Sequence, residues 1–566
     1  MIATLFLKRE QNSAYTSSWT FLIFMVEKIF NSKAKTITFA ALLIGCSTLI
    51  SGLLGILKMR LLAGKFDVAF TLDCYFAAFR IPDLISAIII TGGIIVSFLP
   101  LFSEEFQKNE KSAWRLTNNM INISFVILAG ISFLIWFFAP YLIDFIVPGF
   151  SIDQKELTVD LTRIMFIAPL IFALSAVFSG ILQHFDRFFA YSLAPILYNV
   201  GIIFGILFFT SFFPEDKMIF GVAYGVVFGS LLHLLIQIPP AIKCGFKYQF
   251  YFNIRDNQLI KIFYLIIPRM ISQASSQINL IVITAIGSLL TAGSVAVFNF
   301  ANNLYLFPVS IIGVSFAVAA FPSFSRSLVN GNQNEFVSAL SLSLRQVILA
   351  IVPIGLMCFI LRAQIVRVVL GTGEFGWTET RLTAASLGVF SLGIIFAGIT
   401  PILIRAFFAF KDTKTPAVLS VFSVGINILL SFAFVWIIDK NQLVSLWLSS
   451  FLKLGGIDDI RVIGLALAVT VTSIVQLVLL FVFLKRKVKE IPLREIRVSF
   501  AKVCIGSLVM VVVTYFSLRV ALFFVDLTTF GAVLFQLMFA FTFGALAYVT
   551  TLYLLHTKEL YSLIKR

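Results

Sequence analysis

Apolar runs near twenty residues long recur along this chain from Ile37 to Leu555, separated by short polar breaks. A helix needs a run of about that length to cross ~30 Å of hydrocarbon. Fourteen runs qualify: 37–57, 72–102, 116–141, 160–184, 188–212, 218–240, 258–289, 293–323, 340–370, 380–408, 415–438, 462–484, 498–524 and 529–555. Each predicts a helix, because a span must satisfy its backbone hydrogen bonds internally and no alternating, strand-like pattern is present. Upstream, Trp19 to Phe30 is apolar but too short to span. It suits an interfacial helix, or a chain whose natural start is Met25.

The runs also repeat. Phe185-Asp186 opens the break after the fourth, and Lys411-Asp412 lies in the break after the tenth. Aligning the two aspartates superposes Leu193 on Leu419 and Ile202 on Ile428. The second run (Phe79-Arg80-Ile81-Pro82, then Pro100) resembles the eighth (Leu306-Phe307-Pro308, then Pro322). Six spans separate each pair, so the halves share one orientation, as parallel repeats do. The expected architecture is an all-α polytopic membrane protein of about 14 transmembrane helices: two pseudo-symmetric six-helix lobes plus two C-terminal helices. The boundaries are a 1–35 extension, lobes at 36–245 and 246–490, and the last pair of spans at 491–566.

Composition agrees: 60% of residues are apolar and 12% charged, with a mean hydropathy of +1.01. That leaves no room for a sizeable soluble domain. The net charge of +16 is spread over the breaks, with no basic stripe interleaved with aromatics, so no nucleic acid is implied. About twice as many Lys and Arg fall on the amino-terminal side of the spans as on the other, and Lys485, Arg486, Lys487, Lys489, Arg494 and Arg497 form the densest block. The positive-inside rule then puts both termini in the cytoplasm. The five cysteines form no CxxC, and the three histidines no HExxH. No P-loop, GxSxG or deep carboxylate pair occurs, so neither a cofactor, a metal nor an enzyme is expected.

Function must therefore come from polar groups within the spans, where each is costly. Lys58 and Arg60 end the first. Asp73, Arg80 and Asp83 lie in the second. Arg269, Gln273, Gln277 and Asn279 lie in the seventh, and Asn299, Asn302 and Asn303 in the eighth. Arg269, Gln273 and Gln277 share a helix face, as do the three asparagines; Arg80 and Asp83 are spaced to pair. One reading is a water-filled chamber between lobes whose guanidinium and amide groups hold an anionic, phosphorylated head group. The competing readings are snorkelling for Lys58 and Arg60, a structural pair for Arg80 and Asp83, and interhelical glue for the amides.

The stretch Ser51-Gly52-Leu53-Leu54-Gly55-Ile56-Leu57-Lys58-Met59-Arg60-Leu61-Leu62-Ala63 carries a family likeness. So do Thr71-Leu72-Asp73, Ala78-Phe79-Arg80-Ile81-Pro82-Asp83-Leu84, Asn302-Asn303 with Phe307-Pro308, Ala319-Ala320-Phe321-Pro322-Ser323, and Lys411-Asp412-Thr413-Lys414-Thr415-Pro416. Together they resemble the MurJ/MviN family, lipid II flippases of the multidrug/oligosaccharidyl-lipid/polysaccharide exporter superfamily, over essentially everything after residue 36. The resemblance implies transport of undecaprenyl-linked peptidoglycan precursor (lipid II) from inner to outer leaflet by alternating access. It further implies a bacterial inner membrane, a cationic chamber for the pyrophosphate, a lipid-tail groove on the last two spans, and a place beside the cell-wall synthesis machinery. The departures matter. Family members carry arginines where this chain has Gly52, Lys58, Ser86 and Asn303, and an acid at Asn302. Lys58, Arg60, Arg80, Arg269, Asp73, Gln277, Asn302 and Asn303 are the expected substrate-facing residues, with Arg269 supplying charge lost elsewhere. An exporter of another polyprenyl-linked glycan and a non-transporting membrane scaffold are the alternatives.

Overall fold

The computed structural model describes residues 37–88, 90, 95–488, 492–557 and 559–560, without the side chains of 37–42, 95–97, 257–269 and 271–272. The amino-terminal extension with its Trp19–Phe30 segment, and the last six residues, lie outside the described residues.

No strand occurs among the described residues. The first half runs α1 (Ile37–Lys65), α2 (Asp73–Ala78), α3 (Arg80–Ile85), α4 (Ile95–Lys108), α5 (Glu110–Ile146), α6 (Ile152–Met165), α7 (Ile167–His184), α8 (Phe188–Leu207), α9 (Met218–Leu235) and α10 (Ile238–Lys243). The second half runs α11 (Asn257–Ser288), α12 (Ser294–Pro308), α13 (Ser315–Val329), α14 (Gln333–Val369), α15 (Trp377–Ala409), α16 (Lys414–Lys440), α17 (Gln442–Leu452) and α18 (Val462–Lys487). Two long helices, α19 (Leu493–Ala521) and α20 (Phe530–Leu554), follow. Twelve helical stretches are long and apolar enough to cross a bilayer. The 32-residue α11 and the pieces α2, α3 and α4 occupy the other two expected spans.

The broken spans have a physical cause. Proline removes a backbone donor and crowds the preceding turn. Pro82 precedes a π-helical turn at 86–88, and Pro308 closes α12 directly before a π-helical turn at Val309–Val314. Pro100 and Pro322 then sit inside α4 and α13. The turn after α7 and the turn after α15 also match. Asp186 and Lys411 both have φ of 57°, and the next amides, Arg187 N–H and Asp412 N–H, reach back to Leu182 O (2.8 Å) and Phe407 O (3.0 Å). This helix-ending geometry sets Asp186 opposite Lys411, one residue short of the aspartate alignment. Thr413 is the extra residue that restores register before α16.

Packing forms three apolar clusters. One lies within the first half, one within the second half and the closing helices, and one is shared between α1–α3, α12, the end of α14 and α15. α19 and α20 pack on each other and on α14, where Arg345 pairs with Glu559 at 2.7 Å and Glu495 at 3.4 Å. α8 and α9 approach through glycines. A side-chain carbon on Gly225 would come within 2.7 Å of the Gly205 Cα, the small-residue contact that lets membrane helices touch backbone to backbone.

Candidate functional site

The polar groups of the first three helices reach across to the second half. α12 begins at Gly293, which has no side chain to cap the helix, so its first amides need an outside acceptor. Asp73 supplies it: Oδ2 accepts from Gly293 N–H at 2.8 Å and Oδ1 from Ala296 N–H at 2.7 Å. The carboxylate is 2% exposed and sits at the positive end of the helix dipole. One turn further along, Arg80, 5% exposed, donates from Nε to Thr284 Oγ1 and from Nη2 to Asn299 Oδ1, both at 2.6 Å. Arg80 thus joins α3 to α11 and α12 at once.

Arg60 makes a third tie. Its guanidinium donates to Val368 O at the end of α14 and lies 4.4 Å from the ring centre of Phe530 on α20. Glu374 N–H reaches Gly64 O at 3.4 Å, and Gly149 N–H reaches Ser288 Oγ at 3.2 Å. All these contacts cluster toward one end of the bundle, the end poor in Lys and Arg. These bonds join the two halves, beside those that α5 makes to the connecting segment 246–256.

Lys58 differs. It is half-buried on α1 and makes no hydrogen bond among the described residues. Its electrostatic neighbour is Asp83, which also feels Arg80 yet bonds neither cation. The expected Arg80–Asp83 ion pair is therefore replaced by the Arg80 ties to Thr284 and Asn299, because a buried guanidinium gains more from two well-aimed acceptors than from one distant charge. Tyr75 and Tyr198 lie near the same carboxylate.

The amides divide. Asn299 is used by Arg80 and by its own helix, donating to Val295 O at 2.7 Å. Asn303 is exposed and donates to Asn299 O at 2.9 Å, while Asn302 is half-buried. On α11, Gln277 Oε1 and Asn279 Oδ1 are buried acceptors without a partner among the described residues. Arg269 lies on α11, and its side chain is outside the described residues. The structure therefore brings Asp73, Arg80 and Asn299 into one cross-half cluster, with Lys58 and Asp83 beside it.

Two positions where the family resemblance places arginines are closed or neutral here. A side-chain carbon on Gly52 would meet Phe307 Cε2 at 2.9 Å, so α1 and α12 are packed for glycine at that point. Ser86 is half-buried in the π-helical turn. The spacing of residues gave no sign that Asp73 is an external cap; the uncapped Gly293 is the signal that pointed to one.

Comparisons with known proteins agree with this architecture. A family model described as lipid II flippase MurJ matches residues 62–536. A protein of Buchnera aphidicola named "Probable lipid II flippase MurJ" is 29% identical over 472 residues, covering 83% of this chain and 88% of that one. A solved structure described as lipid II flippase MurJ in an inward closed conformation superposes with a TM-score of 0.72 at 25% identity, covering 90% of this chain and 98% of that chain. An inward-facing multidrug resistance MATE transporter shares the fold, with a TM-score of 0.64 at 14% identity over 79% of this chain and 98% of its own. With the family match spanning most of its length, the chain belongs to the lipid II flippase MurJ family.

Proposed function

We propose that this protein flips lipid II, the undecaprenyl-linked peptidoglycan precursor, from the inner to the outer leaflet of the bacterial cytoplasmic membrane by alternating access. The Lys/Arg-poor end is the outer end, and both termini are cytoplasmic. The first lobe comprises spans one to six and the second spans seven to twelve, joined by the segment after α10. Spans thirteen and fourteen carry the lipid-tail groove.

The observation that carries the reading is the set of ties at one end. Asp73, Arg80 and Arg60 each leave their own half and bond groups of the other half or of α20. An alternating-access transporter needs such a seal, and it must be reversible. Six polar contacts of moderate strength, each worth about 0.5–3 kcal/mol net, orient and register that closure beside the apolar cluster the halves share, and each can be exchanged for water when it opens. Beneath the seal, Lys58 makes no hydrogen bond among the described residues and can meet a pyrophosphate without breaking one of them. Gln277 and Asn279 offer acceptors to sugar or peptide N–H and O–H groups, and Asn302 and Asn303 complete the expected lining. Arg269 adds charge from α11. In this scheme Arg60, Arg80 and Asp73 hold the closed state, and their partners are released when the outer end opens.

Two features favour the scaffold reading instead: Phe307 fills the space at Gly52, and Arg80 is committed to protein acceptors. One experiment separates them. Cells depleted of their own lipid II flippase are supplied with this chain. Growth and normal shape are expected; lysis at wild-type levels of membrane-inserted protein overturns the transport reading. Arg269→Ala is expected to lower rescue without lowering protein level.

A further inference from the structure

The segment between α10 and α11 is neither helix nor strand, yet α5 holds it tightly. Three asparagines on α5 bond its backbone in turn. Asn118 accepts from Gln249 N–H at 3.1 Å and donates to Lys247 O at 3.2 Å. Asn122 donates to Tyr251 O at 2.9 Å and accepts from the Tyr248 hydroxyl at 2.8 Å. Asn119 accepts from Asn253 N–H at 2.8 Å and donates to Asn253 O at 2.9 Å. The ladder uses one backbone edge and leaves most side chains of the segment exposed. The even row is apolar: Tyr248, Phe250, Phe252 and Ile254, with Phe250 80% and Ile254 67% exposed. The odd row is polar: Lys247, Gln249, Asn253 and Arg255, with Tyr251 beneath the Arg115 guanidinium at 5.5 Å.

Depth places this segment at the membrane surface. α5 has 37 residues, about 55 Å of helix at ~1.5 Å per residue against ~30 Å of hydrocarbon. About 25 Å of α5 therefore lies outside the hydrocarbon, and the asparagines, on its third and fourth turns, stand where the basic end of the span meets the head groups. Just before the segment in the chain, Leu235 at the end of α9 and Ile242 on α10 are also exposed. Lys243, Lys247 and Arg255 flank or lie within it along the chain and Arg115 stacks on Tyr251, against the acids Glu110 and Asp256. An apolar row flanked by cations at head-group depth matches an anionic lipid surface.

We propose that residues 247–255 form a lipid-binding strap. The row Phe250, Phe252 and Ile254 inserts among the lipids of the leaflet at the basic end, and Lys247 and Arg255 take anionic phosphates. The asparagine ladder keeps the strap on the first half, so the first half rides on that leaflet while the second half moves. This inference does not depend on the transported substrate.

The test installs the photo-crosslinker p-benzoylphenylalanine at Phe250, Phe252 or Ile254, and at Gln249 as the opposite-row control. The full chain is reconstituted in nanodiscs of phosphatidylcholine with or without phosphatidylglycerol and analysed by mass spectrometry. Lipid adducts are expected at the three apolar positions and not at Gln249. Phosphatidylglycerol adducts should exceed their bulk share, by roughly fivefold for each basic side chain engaged, and Lys247→Gln with Arg255→Gln should remove that excess. Equal adducts in both rows, or adducts to protein in place of lipid, overturn the strap. Adducts in the bulk lipid ratio overturn its anionic preference.

Discussion

Asp73 shows how much one buried carboxylate decides. It closes the amides of a helix that begins 220 residues later in the chain. Charge-assisted hydrogen bonds are worth about 1.5–3 kcal/mol each, so Asp73→Ala should shift the balance away from the closed outer end by roughly a hundredfold or more. Spin-label distances across that end are expected to lengthen in Asp73→Ala, and to lengthen less in Asp73→Asn, which keeps an acceptor oxygen. Lys58 makes the opposite prediction. With no hydrogen bond to lose among the described residues, Lys58→Ala should leave thermal stability within about 0.5 kcal/mol. It should lower rescue of flippase-depleted cells sharply, with Lys58→Arg active. Asp412, in the turn between α15 and α16, titrates in a readable range. Burial pushes its carboxyl up, but the Lys487 ammonium and the Thr415 N–H and hydroxyl outweigh that and hold it at about 2, below the ordinary 3.8. A depressed carboxyl stabilises the fold above its ordinary value, and the gain disappears as pH falls toward about 2. The thermal midpoint of Asp412→Asn should therefore lie below that of the unaltered chain at pH 6 and converge with it as the pH is lowered from about 4 toward 2.

At the scale of elements, hydropathy and proline placement were readable in advance. Pro82 and Pro308 each stand beside a π-helical turn, because a missing donor and a crowded ring locally defeat the regular ladder. The matched turns at Asp186 and Lys411 were also visible as a weak repeat, though their one-residue offset was not, since an insertion in a turn leaves no mark on hydropathy. Helix contacts were less legible. Gly201 and Gly205 on α8 meet Gly225 and Gly229 on α9, and nothing in an apolar run says which glycines face a neighbour. Gly225→Leu should force these helices apart at a cost of about 1–3 kcal/mol, the usual range for overpacking. The drop would be read as a lower thermal midpoint in detergent, whereas Gly531→Leu, with open space around it, should change it little.

For the whole molecule, the ties at the Lys/Arg-poor end predict a lock. A side-chain carbon on Gly64 would stand 3.7 Å from Thr372 Cβ, close to the ~3.8 Å spacing of disulfide Cβ atoms. Oxidised Gly64→Cys/Thr372→Cys should hold the outer end shut and stop rescue, and a reductant should restore it; each single variant should remain active. The chain alone determined the all-helical, many-span architecture, where the spans break, which end is basic and which family it resembles. Those properties are local, because the lipid forces every span to settle its own backbone and makes each polar residue conspicuous. Only the tertiary structure decided what the polar residues do. Arg80 finds its acceptors 204 and 219 positions away, and whether a buried cation faces water or protein depends on which helix lies against it. Asp73 became a cap, Arg80 a clasp and Lys58 an open charge through the packing of two halves that no reading along one strand of sequence could bring together.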